Sequence, residues 1–191
     1  MSWSIVVALV LAAVLARFRG GSFQLLADTR LRWTILLFEG LLIQVLFDIW
    51  DPPGLTRSGA LAVLIVSNVA VAAFIALNAR MPGLLLAGLG LLLNVVVITA
   101  NQAMPVSDSA AKTAGVAPPP ESSTELKHER LDTDTKLPWL ADVIPVPGLG
   151  EILSAGDIFL ALGIGRLVYA QMSPKSRGSR REAVTRDAAS G

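Results

Sequence analysis

Residues 152–172 read ILSAGDIFLALGIGRLVYAQM, and the reading of this run decides what kind of protein the chain is. At 1.5 Å per helical residue, about twenty apolar residues cross a hydrocarbon core of ~30 Å. The run is long enough, yet it carries Asp157, Arg166 and three glycines. Two placements of Asp157 are open. If the helix starts near Leu149, the carboxylate lies about two turns deep and is a costly intramembrane acid. If Ser154 is the N-cap, Asp157 is the third helical residue of a Ser-x-x-Asp capping box, favoured by the positive end of the helix dipole. Gly163 and Gly165, with Ala161, make a small-residue face for close helix packing. Arg166 either reaches back to the cytoplasmic interface or pairs with an acid on another helix.

The whole chain shares this character. Of its 191 residues, 53% are hydrophobic and only 16% charged, too few to clothe a soluble domain of this size. The net charge of +1 gives no basic signal for nucleic acid. Absence of cysteine excludes disulfides, thiolate metal sites and a cysteine nucleophile, and the single His128 excludes a multi-histidine metal site within one chain. No cofactor and no metal are expected.

Four further apolar runs precede the first one quoted: Trp3–Ala16, Trp33–Trp50, Gly59–Leu77 and Gly83–Ala103. The first has its arginines after it, opposite to a secretory signal, and Ala8, Ala12 and Ala16 set a smooth packing stripe along it. Tryptophans bracket the second, as at the two faces of a bilayer. With five helices, Arg17, Arg19, Arg30, Arg32, Arg80 and the basic tail all fall on one side, which the positive-inside rule makes the cytoplasm. The expectation is therefore an all-α polytopic bundle of about five transmembrane helices in a bacterial plasma membrane, N-terminus outside and C-terminus cytoplasmic. Helices one to four occupy 1–103. Residues 104–124 read as a flexible outside linker rich in Pro, Ser and Ala, and 125–150 as an ordered outer segment packing on the bundle. The fifth helix takes 151–172, and 173–191 is a basic, disordered cytoplasmic tail.

Polar side chains interrupt the apolar runs. Gln44, Asn68 and Asn94 fall near mid-membrane, and Asn101, seven residues on from Asn94, shares its face at the outer end. They are either interhelical hydrogen-bonding glue or the lining of one polar cavity. Glu39, two turns above the cytoplasmic end of its helix, is the candidate intramembrane ion-pair partner of Arg166. Outside, Lys127 and His128, with Asp142 on the outer segment, are placed to reach Ser154 and Asp157.

The strings NQAMPVS, LKHERLDTDTKLPWLADVIPVP and SAGD, with the early RFRGGSF, are similar to the pattern of a family of bacterial multi-pass membrane proteins known only as a domain of unknown function. The chain departs from that pattern at Gln102, where glycine is usual, and at Ala155, where a larger aliphatic is commoner. The resemblance implies a bacterial membrane setting and no activity. An outer polar site of Asn68, Asn94, Asn101, Lys127, His128, Asp142, Ser154 and Asp157 would bind or pass a small polar solute or ion. The alternative is a structural or regulatory membrane protein that binds a membrane protein partner or a second copy of itself. An intramembrane enzyme comes last, because no nucleophile or metal set is recognisable.

Overall fold

A computed structural model describes residues 3–49, 56–119 and 128–174. Five apolar helices dominate: α1 (Trp3–Phe18), α3 (Thr34–Ile49), α4 (Arg57–Leu77), α5 (Leu84–Asn101) and α7 (Ala155–Met172). The apolar runs of the sequence become these helices because polar or turn-forming residues bound them. Ser22 caps the short α2 (Phe23–Ala27), Thr56 caps α4 and Ser154 caps α7. Gly20 and Gly83 take the left-handed backbone at the turns after α1 and before α5. Gln102 adopts the same conformation, φ 65°, at the C-terminus of α5. Glycine takes that conformation without a Cβ penalty. Among the described residues, two helices, Ser58–Leu77 and Leu84–Asn101, are long and apolar enough by themselves to cross a membrane.

The helices lie in a row. α5 packs on α7 and on α4, α7 carries α1, and α4 carries α3, so the order across is α3–α4–α5–α7–α1. Small residues set the tightest seam. On α5 and its preceding turn, Gly83, Ala87 and Gly90 meet Gly156 and Gly163 of α7, and a Cβ on any of these four glycines would overlap the facing helix. Ala12 and Ala16 are buried where α1 meets α7, as their four-residue repeat led one to expect. α1 and α7 run parallel: Ser4 meets Glu151 just before α7, and the Ser22 amide donates to Met172 at the end of α7. α5 runs antiparallel to α7, as Gly83 against Gly163 and Asn94 against Ser154 require. Arg17, Arg19, Arg30, Arg32 and Arg80 thereby gather at one end of the row.

The other end is covered by a cap. Its elements are β1 (Met104–Val106), α6 (Asp108–Ala114), β2 (His128–Arg130), a 3₁₀ turn (Pro138–Leu140), and the hairpin β3 (Ile144–Val146) and β4 (Glu151–Leu153). β1 pairs in parallel with β2, Met104 beside His128, and bridges on its other side to Asp142. Thus the stretch expected to begin a flexible linker is structured from Met104 to Ala114. Its composition misled because α6 buries alanines: Ala110, Ala111 and Ala114 face inward, Ser107 caps the helix, and Gly115 ends it. Val97, Met104 and Leu140 are the buried centre between cap and bundle, with Leu137 and Ala155 against them.

Candidate functional site

Among the described residues, the polar side chains that interrupt the helices do not all hydrogen-bond to one another. The structure sorts them into separate seams, because helices in a row meet pairwise and enclose no common axis. Between α3 and α4, Gln44 Nε2 donates to the Ser67 hydroxyl at 3.4 Å, and Ser67 in turn donates to the Leu64 carbonyl. Asn68 turns back to its own helix, donating to the Leu64 carbonyl at 2.7 Å. Glu39 and Arg166 are both exposed and form no ion pair with each other among the described residues. Glu39 lies on α3 and Arg166 on α7, with α4 and α5 between them in the row. Lys127 lies outside the described residues.

A polar cluster does form where the α5–α7 seam meets the cap. Ser154 Oγ accepts from the Asp157 amide at 3.0 Å, and Asp157 Oδ2 accepts from the Ser154 amide at 2.9 Å, closing a capping box. Asn94 reaches across from α5 and donates to Asp157 Oδ1 at 2.8 Å. The Ser154 hydroxyl lies 2.9 Å from Asn94 Oδ1 and 2.8 Å from Asp157 Oδ2, and its one proton serves either acceptor. Every polar atom of this triad is occupied from within. Gly156 is what allows it, since a side chain there would collide with the Asn94 amide.

Asp142 completes the cluster from the cap. Its backbone is stitched to β1: the Asp142 amide donates to the Pro105 carbonyl and its carbonyl accepts from Ser107, both at 2.9 Å. Its side chain is buried, 9% exposed, and among the described residues Oδ1 has no hydrogen-bond partner. Burial first, and the nearby Asp157 carboxylate second, push the Asp142 carboxyl up from 3.8 to about 8. His128 sits on β2, with β1 between it and Asp142 in the sheet order. Arg130, on the same strand, is 3.6 Å from Asp108 and donates to the Pro119 carbonyl.

Asn101 has a different task. Its Nδ2 donates to the Val97 and Lys136 carbonyls and its Oδ1 accepts from the Lys136 amide at 2.8 Å, so it pins the cap backbone to the end of α5. Asn78 does the same at the basic end. Buried to 5% exposure, it accepts from the Arg32 amide and donates to the Arg32 carbonyl, both at 2.8 Å. Sequence reasoning treated Asn78 only as a turn residue. It missed Ser67 and Glu151 as well; the Glu151 carboxylate accepts from the amide and hydroxyl of Ser4 and so stabilises the positive end of α1. An asparagine just past a long helix is the one visible signal for such a pin, and it does not say which remote peptide is held.

A family model for a family of unknown function, DUF5317, matches residues 28–169. The chain belongs to that family. The match spans α3 to α7 with the whole cap, so the triad, Asp142 and both asparagine pins lie on the DUF5317 portion of the chain. No curated protein and no solved structure matches the chain.

Proposed function

We propose that this DUF5317 protein is a five-span integral membrane protein of the bacterial plasma membrane, N-terminus outside, that serves a structural or regulatory role by presenting its outer cap to a partner. The observation that carries the choice against a solute pathway is the closed seam at Asn94. Asn94, Ser154 and Asp157 spend their hydrogen bonds on one another, and glycine-to-backbone contacts hold the two helices close beside them. Embedding in a membrane is supported by the surface of the helix row. Phe18, Phe38 and Leu85 are 86%, 67% and 68% exposed, among many other large apolar side chains that water would penalise and lipid would not. The gathering of five arginines at one end supports the orientation. Trp139, 66% exposed on the cap, and the exposed Ile144 are the apolar side chains a partner would meet.

The second reading, an outer site for a small cation, draws on one specific observation: the buried, unpartnered Oδ1 of Asp142 beside Asp157. The natural absence of cysteine supplies the test. Single cysteines at Ser109 and Ser179 are probed in intact cells with a membrane-impermeant thiol reagent. Ser109→Cys labels and Ser179→Cys does not; the reverse overturns the orientation. Asn94→Cys and Asp157→Cys stay dark while Ser109→Cys reacts. Labelling at both would mean water reaches the seam, and the solute or ion reading would replace the structural one.

A further inference from the structure

An apolar trough of about 600 Å³ opens between α1, α2 and α7. Its walls come from one face of α1 between Leu9 and Phe18, from Phe23 and Leu26 of α2, and from Val168 of α7. One charged side chain, Arg17, lines it. Arg17 stands in the last turn of α1, at the basic end of the row, with an exposed side chain that makes no ion pair among the described residues. Its neighbour Arg19 is spoken for: it donates to the Tyr169 hydroxyl at 2.8 Å and lies 5.8 Å from that ring's centre.

We propose that this trough holds one acyl chain of an anionic phospholipid of the cytoplasmic leaflet, with the lipid phosphate on Arg17. The proposal rests on the membrane placement above and adds a ligand to it. Three features select a lipid over a second protein helix. The trough runs from Leu9 to Phe18, roughly 13 Å of helix, less than half of the ~30 Å along which a spanning helix would dock. α2 forms its lower wall, with Phe23 62% exposed, as suits a chain entering from the headgroup layer. A guanidinium packed against an apolar helix would lose hydration without gaining a counter-charge, whereas a phosphate diester supplies the charge and accepts paired N–H bonds. Basic pockets at the cytoplasmic ends of membrane helices bind anionic headgroups for the same reason.

The test uses the full chain, extracted from membranes in mild detergent and delipidated. Thermal stability and retained lipid, read by native mass spectrometry, are measured with phosphatidylglycerol and with phosphatidylcholine of identical chains. Phosphatidylglycerol is expected to be retained and to raise the melting temperature more than phosphatidylcholine. Arg17→Gln should weaken phosphatidylglycerol retention about fivefold and phosphatidylcholine retention by less, because the choline ammonium already neutralises the phosphate it shares with phosphatidylglycerol. Val14→Trp, which fills the trough from an exposed position, should cut retention of both, while Val69→Trp on the lipid face of α4 should not. Equal retention of the two lipids, an unaffected Arg17→Gln, or equal losses at Val14 and Val69 would overturn the proposal. So would full stabilisation by glycerophosphate, which lacks acyl chains. Failure of the membrane placement itself would show earlier, as release of the chain from membranes by alkaline carbonate.

Discussion

Asp142→Asn should remove a pH dependence that the wild-type cap carries. In the docked cap the Asp142 carboxyl is buried and titrates at about 8; in a cap lifted off the bundle it returns to the ordinary 3.8. The docked state therefore holds its proton more tightly. Docking is strongest below about pH 4, weakens as pH rises through the window between the two values, and loses nothing further well above pH 8. Each unit inside that window costs about 1.4 kcal/mol, so the step from pH 6 to pH 8 costs roughly 2 kcal/mol and the whole window on the order of 5 kcal/mol. Asparagine has the same shape and no charge at any of these pH values. The variant should match the wild type below about pH 4 and exceed it by a margin that grows to pH 8.

Amide exchange reports the cap directly. Ser107 and Asp142 donate across the junction between β1 and the Asp142 segment, and Leu131 donates to Val106. In the wild type their protection should fall between pH 6 and pH 8 beyond the intrinsic rise in exchange. In Asp142→Asn it should follow the intrinsic rise alone. The charged groups around the site are Asp157 on α7, and Asp108 with Arg130, which hold each other. They are common to both proteins, so the difference isolates Asp142. Parallel pH profiles would refute the account, because an acid that titrates at its ordinary value is already ionised throughout this range.

Gly156→Ala should be severe, because its methyl group strikes the Asn94 amide and the Gly90 carbonyl at once; an overpacked seam costs about 1–3 kcal/mol, read as a drop in melting temperature in detergent. Asn78→Ala strips partners from both polar groups of the Arg32 peptide and should cost about 2–4 kcal/mol, with exchange rising first at the start of α3. Gln102→Gly places the residue best suited to φ 65° at the end of α5 and should stabilise by about 0.5–1 kcal/mol, measured by the same thermal assay. Glu151→Gln keeps an acceptor for Ser4 but removes the charge at the head of α1, and should cost up to about 1 kcal/mol, less at high salt.

The helices were legible because each is a long apolar run closed by a turn signal that acts locally: a Ser or Thr cap, a glycine with positive φ, a proline. The capping box at Ser154 was legible for the same reason, since both partners lie within four residues. α6 was not, because a helix of alanine and serine buries too little apolar surface to stand out by composition, and it is held by packing on the distant β3 and β4. Nor were the strands of the cap, each three residues long and defined by pairing with a distant segment. Asn94 was singled out from its depth alone, which could not distinguish a cavity from a seam. Its partner Asp157 lies 63 residues away, and only the antiparallel pairing of α5 and α7 brings them together.

That pairing also explains why the polar residues are spread as they are. In a closed bundle, side chains at one depth on several helices converge on a common axis. In a row, each helix has a seam with its two neighbours and a pair of outward faces, so polar groups at equal depth end in different seams. Gln44 meets Ser67, Asn94 meets Asp157, and Asn68 is left to bond its own helix. A polar group in a two-helix seam pins register, because sliding by one residue strands a buried donor in an apolar setting. The Asn94 pin sits directly beneath the cap, and its partner shares a field with Asp142. The cap therefore docks on a seam that the Asn94 hydrogen bonds hold by themselves, so disrupting the seam undocks the cap while lifting the cap leaves the seam closed. A Gly156→Ala change in the seam should loosen the Asp142 segment as well, and Asp142→Asn should not alter the fit of Gly156 against Asn94. That asymmetry separates a cap resting on the seam from a cap that holds the seam together.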